Sequence, residues 1–220
     1  MFIINCKNYD EIAGDKIIKI AKISEKISKK YKVQIAIAPP HHLIPLITKF
    51  KITVLAQHVD DKKVGSTTGF MVPEIVKKSK INGSIINHSE HRISEKEIIS
   101  LVKRLQKLKL KTVLCVKNVN EAKKYAKLNP TFIAIEPPEL IGTGRAISTE
   151  KPALITNAVK AVSSAKNSTK LLCGAGIVSG QDVSKAKELG SKGILVASGI
   201  VKAKNWEKII SEFCKGLKSQ

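Results

Sequence analysis

The sequence predicts an α/β fold, a single (β/α)8 barrel spanning residues 1–220. Short β-branched runs alternate with lysine-rich amphipathic segments from one end of the chain to the other. The runs number eight at even spacing, and no Gly-x-Gly-x-x-Gly follows the first of them. Strand–helix repetition on this scale leaves two solutions, one closed barrel or one doubly wound open sheet. The count of eight, the even spacing and the missing dinucleotide fingerprint favour the barrel.

The runs lie at 2–5, 33–38, 52–57, 84–87, 111–116, 131–136, 169–173 and 193–197. Each carries little internal polarity, as parallel strands covered on both faces require. After the first run, Ile17, Ile20, Ala21 and Ile27 share one helical face, while Lys16, Lys19, Lys22, Lys26 and Lys29 point away. The second run ends at Pro39-Pro40, so His41 and His42 read as a helix start with no chemistry assigned. Beyond the fourth, Ser94 followed by Glu97 makes a capping box that opens a helix. The sixth ends in Glu136-Pro137-Pro138, the seventh leads into Gly174-Ala175-Gly176 and the eighth into Ala197-Ser198-Gly199. Trp206 falls in the last helical segment as a packing residue.

Composition narrows the function classes. Hydrophobic content of 43% and charged content of 26% describe an ordinary globular chain. No stretch reaches the ~18 uninterrupted apolar residues of a membrane span. The first residues lack the basic and apolar regions of a signal peptide, so a cytoplasmic protein with no membrane partner is expected. Cys6, Cys115, Cys173 and Cys214 form no C-x-x-C pair and have no histidine pair at zinc spacing. Reduced, apolar thiols and no metal follow. The net charge of +21 suggests nucleic acid. Against that, arginine occurs only at Arg92, Arg104 and Arg145, the lysines spread over polar helix faces, and aromatic residues are 4% of the chain. A solvated basic surface with no nucleic-acid partner is the better account, and its field still favours a small dianionic substrate.

Catalytic side chains of a β/α barrel lie at the C-terminal ends of its strands. Asn5-Cys6-Lys7, Asn87-His88-Ser89-Glu90 and Glu136 therefore bring a cation, an imidazole and a carboxylate to one mouth. Glu136 stands out because an apolar strand ending in a carboxylate followed at once by Pro-Pro has no packing rationale. The small residues after strands seven and eight let backbone N–H groups approach an anion.

Three segments in order, Asn-x-Lys at 5–7, His-Ser-Glu-x-Arg at 88–92 and Ile-Glu-Pro-Pro-Glu-Leu-Ile-Gly-Thr-Gly at 135–144, resemble the triosephosphate isomerase family over the whole chain. The resemblance implies a (β/α)8 TIM barrel that interconverts dihydroxyacetone phosphate and glyceraldehyde 3-phosphate without a cofactor. It implies Glu136 as the base, His88 as a neutral electrophile and Lys7 beside the developing oxyanion and phosphate. A glutamate base with a neutral histidine is the arrangement that the resemblance to this family implies. Either the helix capped by Ser94 or a shorter turn nearer His88 supplies the positive end that suits such a histidine. Asn5 is expected on a substrate oxygen. Backbone groups of Ile141, Gly142, Gly176, Ala197 and Ser198 are expected around the phosphate, with 137–147 as a lid that suppresses elimination. Glu90 and Arg92 are expected to pair with each other and fix their loop.

Departures from the family pattern point to its compact archaeal branch. Gly174-Ala175-Gly176 replaces Gly-Gly-Ser, Ala197-Ser198 replaces Gly-Gly, and the chain is shorter by about one-tenth than the ~250 residues typical of the fold. That kinship implies a homo-oligomer, a tetramer ahead of a dimer. The segment 65–70 matches the family's protruding third loop, with Phe70 where Glu or His is usual. Two other functions compete: another phosphate-binding barrel enzyme, and a basic nucleic-acid-binding protein on a barrel scaffold. The first does not need all three motifs together, and the second predicts steeply salt-dependent binding that survives Glu136→Gln.

Overall fold

A computed structural model describes residues 1–140, 143–144 and 146–218. Eight parallel strands close into a barrel in sequence order: β1 (Phe2–Asn5), β2 (Ile35–Ala38), β3 (Thr53–Ala56), β4 (Gly83–Ile86), β5 (Lys111–Val116), β6 (Phe132–Ile135), β7 (Lys170–Cys173) and β8 (Ile194–Val196), with β8 pairing back onto β1. Closure decides between the two solutions that the alternating pattern allowed. The strands lie where the apolar runs predict, most of them a residue or two shorter. Asn87 shows why β4 stops early: its φ of +57° is left-handed and ends the ladder after Ile86.

The helices between them are α1 (Lys16–Tyr31), α2 (Ile44–Ile47), α3 (Pro73–Lys78), α4 (Glu95–Lys107), α5 (Val119–Ala126), α6 (Ile147–Glu150), α7 (Pro152–Ser163), α8 (Gly180–Glu188), α9 (Ser198–Val201) and α10 (Trp206–Lys218). In α1, Ile17, Ile20, Ala21 and Ile27 are buried and Lys16, Lys19, Lys22, Lys26 and Lys29 are exposed, as the period requires. Helix α4 opens on the predicted capping box: Glu97 N–H donates to Ser94 Oγ (3.3 Å) and Ser94 N–H donates back to the Glu97 carboxylate (2.9 Å). His41 begins a short 3-10 turn, His41–Leu43, that runs into α2. Trp206 starts α10 partly buried, with its indole N–H on the Val201 carbonyl.

Two apolar clusters follow from the two-residue period of the strands. Ile3, Ala36, Leu55, Ile85, Val113, Cys115, Ala134, Leu172 and Leu195 fill the lumen, and the alternate residues pack outward against the helices. Carried two residues further along each strand, the lumen-facing set reaches Asn5, Asn87, Glu136, Gly174 and Ala197. The fold therefore aims polar and small residues into the barrel mouth by the alternation that builds its core. All four cysteines are buried and free, in agreement with the sequence reading.

Candidate active site

Backbone geometry at the ends of β1 and β4 sets the first two groups. Lys7 has φ +45°, a left-handed conformation that costs a non-glycine residue about 1 kcal/mol. It is held there by its own N–H on Asn5 Oδ1 (3.1 Å) and by Gln57 Nε2 donating to its carbonyl (3.0 Å). Asn5 thus fixes the turn that aims Lys7, and it also lines the cavity. The Lys7 ammonium donates to Glu90 Oε1 at 2.7 Å and is only 16% exposed.

Asn87 does the same for β4. Its side chain donates to the Cys115 carbonyl (3.0 Å) and accepts from Ile93 N–H (3.2 Å), so both ends of its amide brace the left-handed turn. His88 follows, buried at 7% exposure. A tight turn returns Glu90 N–H to His88 Nδ1 at 3.2 Å and His91 N–H to the His88 carbonyl at 2.9 Å. Nδ1 is thereby an acceptor, which places the proton of a neutral ring on Nε2. Of the two sources of a positive end that the sequence allowed, the turn at 88–91 is the one in contact with the imidazole.

Glu136 directly follows β6, held by its N–H on the Val116 carbonyl (2.8 Å), and is 3% exposed. One carboxylate oxygen lies 3.5 Å from His88 Nε2, and the other is buried with no hydrogen-bond partner among the described residues. A buried carboxylate oxygen left without a hydrogen-bond partner is costly. Beneath it in the lumen, burial pushes the Cys115 thiol well above its ordinary range, and the charge of the adjoining Glu136 carboxylate adds to that rise.

Strands β6 and β7 pair Ile135 with Cys173, so Glu136 and Gly174 come side by side. A Cβ at Gly174 would stand 2.4 Å from Glu136 Cγ. Two residues on, Gly176 adopts φ +67°, where glycine carries no side-chain penalty. A cleft of about 50 Å³ gathers Asn5, Lys7, His88, Glu136, Gly176, Ala197 and Ser198 onto one surface, together with Gly144 from the far side. The first amides of α9, at Ser198 and Gly199, lack intrahelical acceptors and line the same wall.

Of the remaining predicted positions, Ile141 and Gly142 lie outside the described residues. Around them, Pro138–Leu140 forms a 3-10 turn, Thr143 Oγ bonds the Leu140 carbonyl, and Ile147 N–H reaches the Ala175 carbonyl. Glu90 and Arg92 correct the expectation that they pair. Glu90 holds Lys7, while the Arg92 guanidinium donates to the carbonyls of Asn87 (2.9 Å) and Cys115 (3.3 Å). The turn points the two side chains to different strands. Sequence reasoning missed Tyr9 and Cys115 as neighbours of the site, and it missed the steric fit of Gly174 against Glu136. Lumen alternation through Cys115 and Gly174 was the available signal; Tyr9 carried none.

Among the described residues no group of three or more His, Cys, Asp or Glu is disposed to hold a metal ion, and no helix is long and apolar enough to cross a membrane. Comparison with known proteins gives one consistent result. The family model described as triosephosphate isomerase matches residues 1–213. The chain is 52% identical over 217 residues to the triosephosphate isomerase of Cenarchaeum symbiosum, covering 99% of this chain and 97% of that protein. It is 42% identical to that of Methanocaldococcus jannaschii, covering 98% and 99%, and 40% identical to that of Methanothermus fervidus, covering 96% of each. With the closed eight-stranded barrel and the strand-end groups already placed, these matches make the chain a member of the triosephosphate isomerase family.

Proposed function

We propose that residues 1–220 form one catalytic domain that interconverts dihydroxyacetone phosphate and D-glyceraldehyde 3-phosphate, a step of glycolysis and gluconeogenesis. The observation that carries this reading is the facing pair at the barrel mouth: one oxygen of the buried Glu136 carboxylate lies 3.5 Å from His88 Nε2, whose Nδ1 accepts a backbone N–H, and its other oxygen has no hydrogen-bond partner among the described residues. Glu136 removes a proton from the hydroxymethyl carbon next to the carbonyl. Electrons move into a carbon–carbon double bond and onto the carbonyl oxygen, giving the enediolate. His88 Nε2–H donates to that oxygen and Lys7 offsets its charge. The hydroxyl proton passes from one enediolate oxygen to the other with His88 Nε2 as relay, and return of the proton from Glu136 to the neighbouring carbon then gives the aldehyde, so the enzyme ends as it began.

Asn5 orients a substrate oxygen. The amides near Gly176, Ala197 and Ser198, together with those of Ile141 and Gly142 in the lid, hold the phosphate. Exclusion of water by the lid protects the enediolate from losing phosphate. The chemistry asks for no metal or organic cofactor. A homo-oligomer is supported by exposed Phe70 on the segment that matches the family's protruding loop and by exposed Val64 just before it, and kinship with the archaeal branch puts a tetramer ahead of a dimer. A cytoplasmic location fits the four buried free thiols. The test is a coupled assay with glyceraldehyde 3-phosphate as substrate, reading reduction of the ketone product. Fast turnover supports the reading, and a folded protein with no turnover overturns it.

A further inference from the structure

A second cavity, about 790 Å³, opens beside the catalytic cleft and shares Asn5, Lys7 and His88 with it. Its far wall carries four histidines from three successive strand-end loops: His41 and His42 after β2, His58 after β3 and His91 after β4. None has a place in the proposed proton transfer. The His58 and His91 rings are stacked, with centroids 3.9 Å apart and planes 19° from parallel. His58 N–H donates to His41 Nε2 at 3.3 Å, so that nitrogen is an acceptor. His58 Nε2 lies 3.4 Å from Asp60 Oδ1. Asp60 in turn closes the base of the 60–71 loop, through its carboxylate on Met71 N–H (2.7 Å) and its own N–H on the Met71 carbonyl (2.9 Å). Parallel imidazoles at this separation direct their nitrogen lone pairs along their own planes and cannot converge on one ion, so the cluster is not a metal site.

What the stack touches is the turn that matters most to the chemistry. His91 is the last residue of the 88–91 turn, its N–H bonded to the His88 carbonyl. That turn delivers Glu90 N–H to His88 Nδ1 and the Glu90 carboxylate to Lys7. His91 is exposed, and its ring stacks on His58, which is 8% exposed and follows β3.

We propose that His58 and His91 are positioning residues for the isomerisation: their stack pins the 88–91 turn, and through it the tautomer of His88 and the Lys7–Glu90 pair, and it holds only while at least one of the two rings is uncharged. This rests on His88 and Lys7 acting as proposed above. Two charged rings 3.9 Å apart in a half-buried wall repel. The groups facing the stack are His41 and His42 from the β2 end, Asp60 and Lys62 from the β3 end, Glu90 and Lys7 across the cavity, and Glu97 from the first turn of α4. At His58 the Asp60 carboxylate favours the charged ring, while His91 and His41 oppose it. Burial, ahead of these charges, holds His58 below the ordinary histidine range, which keeps the stack intact at neutral pH.

The test is the pH profile of kcat with glyceraldehyde 3-phosphate for the wild type, His91→Phe and His91→Ala. Phenylalanine stacks without a charge, so His91→Phe should keep neutral-pH kcat within about twofold while the acid limb moves down by about half a pH unit or more. His91→Ala removes the stack and should lower kcat about tenfold at neutral pH with a smaller change in KM. An unmoved acid limb in His91→Phe, or wild-type kcat in His91→Ala, overturns the proposal. If neither variant folds, the ring 15N resonances of the unmutated protein decide. The His88 Nδ1 signal should shift as the His58 and His91 signals titrate, and a His88 signal that stays flat through that range overturns the proposal. Absence of turnover in the wild type would instead sink the isomerase reading, while the NMR titration would still report on the stack.

Discussion

Gly174 and Glu136 occupy one space: a methyl group at position 174 would sit 2.4 Å from the Glu136 Cγ, inside any tolerated carbon–carbon contact. The carboxylate keeps its place at the barrel mouth because the neighbouring strand ends in a residue without a side chain. Gly174→Ala must push Glu136 aside or widen the β6–β7 seam. A displacement of about 1 Å in a catalytic group costs on the order of a hundredfold. We expect kcat to fall by about that factor with KM much less affected and the far-UV circular dichroism unchanged. Wild-type kcat in a folded Gly174→Ala protein would remove the steric argument.

Shortening the base tests the same geometry from the other side. Glu136→Asp withdraws the carboxylate by about one methylene while leaving its charge, and should lower kcat by orders of magnitude with little change in KM. Steady-state kinetics decides it, and an unchanged kcat would take the base assignment away.

Lys7 and Glu90 are linked at 2.7 Å, so the cation is placed by its partner as well as by its turn. Lys7→Ala should raise KM and lower kcat together, because the ammonium serves both the phosphate and the oxyanion. Glu90→Gln should show a milder loss, since the amide still accepts from Lys7 and the backbone N–H to His88 remains. A fully active Lys7→Ala enzyme would contradict the electrostatic role.

The buried thiols make a prediction about pH and stability. Burial pushes Cys6 and Cys173 up to about 12 in the folded protein, against an ordinary value of 9.0. Below about pH 9 both states hold the proton and these groups contribute nothing to pH dependence. Between about 9 and about 12 the unfolded chain ionises and the folded one does not, so stability falls as pH rises, by at most about 1.4 kcal/mol per thiol per pH unit. Thermal melts should show Tm dropping from about pH 9 to about pH 10, before lysine ionisation dominates. The drop should shrink in Cys173→Ala. A Tm that is flat over that interval in the wild type would contradict the assignment.

The capping box offers a control away from the cleft. Ser94→Ala removes the side chain that accepts from Glu97 N–H and should cost about 1 kcal/mol of stability with no change in kcat. Denaturant unfolding measures the first and the coupled assay the second.

Most of the barrel could be read in the chain because parallel strands covered on both faces leave uninterrupted β-branched runs, and α1 carries its buried isoleucines at strict helical spacing. The groups that share the cleft were legible for a related reason. Asn5, Glu136 and Ala197 extend the lumen-facing alternation of their own strands, so their direction is local information. What could not be read depends on neighbours distant in sequence. Glu90 holds Lys7, 83 residues away, instead of Arg92, and only the closure of the barrel brings β1 and β4 loops to one rim. The role of Gly174 depends on the β6–β7 register, and the stacking of His58 on His91 on two loops that no sequence window contains.

The central claim is that Glu136 moves a carbon-bound proton, and exchange in heavy water measures this most directly. Dihydroxyacetone phosphate incubated with the protein in D2O should gain deuterium at the hydroxymethyl carbon, and the aldehyde product should carry deuterium at its central carbon, both followed by proton NMR. The account predicts rapid incorporation at both carbons by the wild type and none at either carbon in Glu136→Gln. Incorporation at the wild-type rate by Glu136→Gln would contradict it.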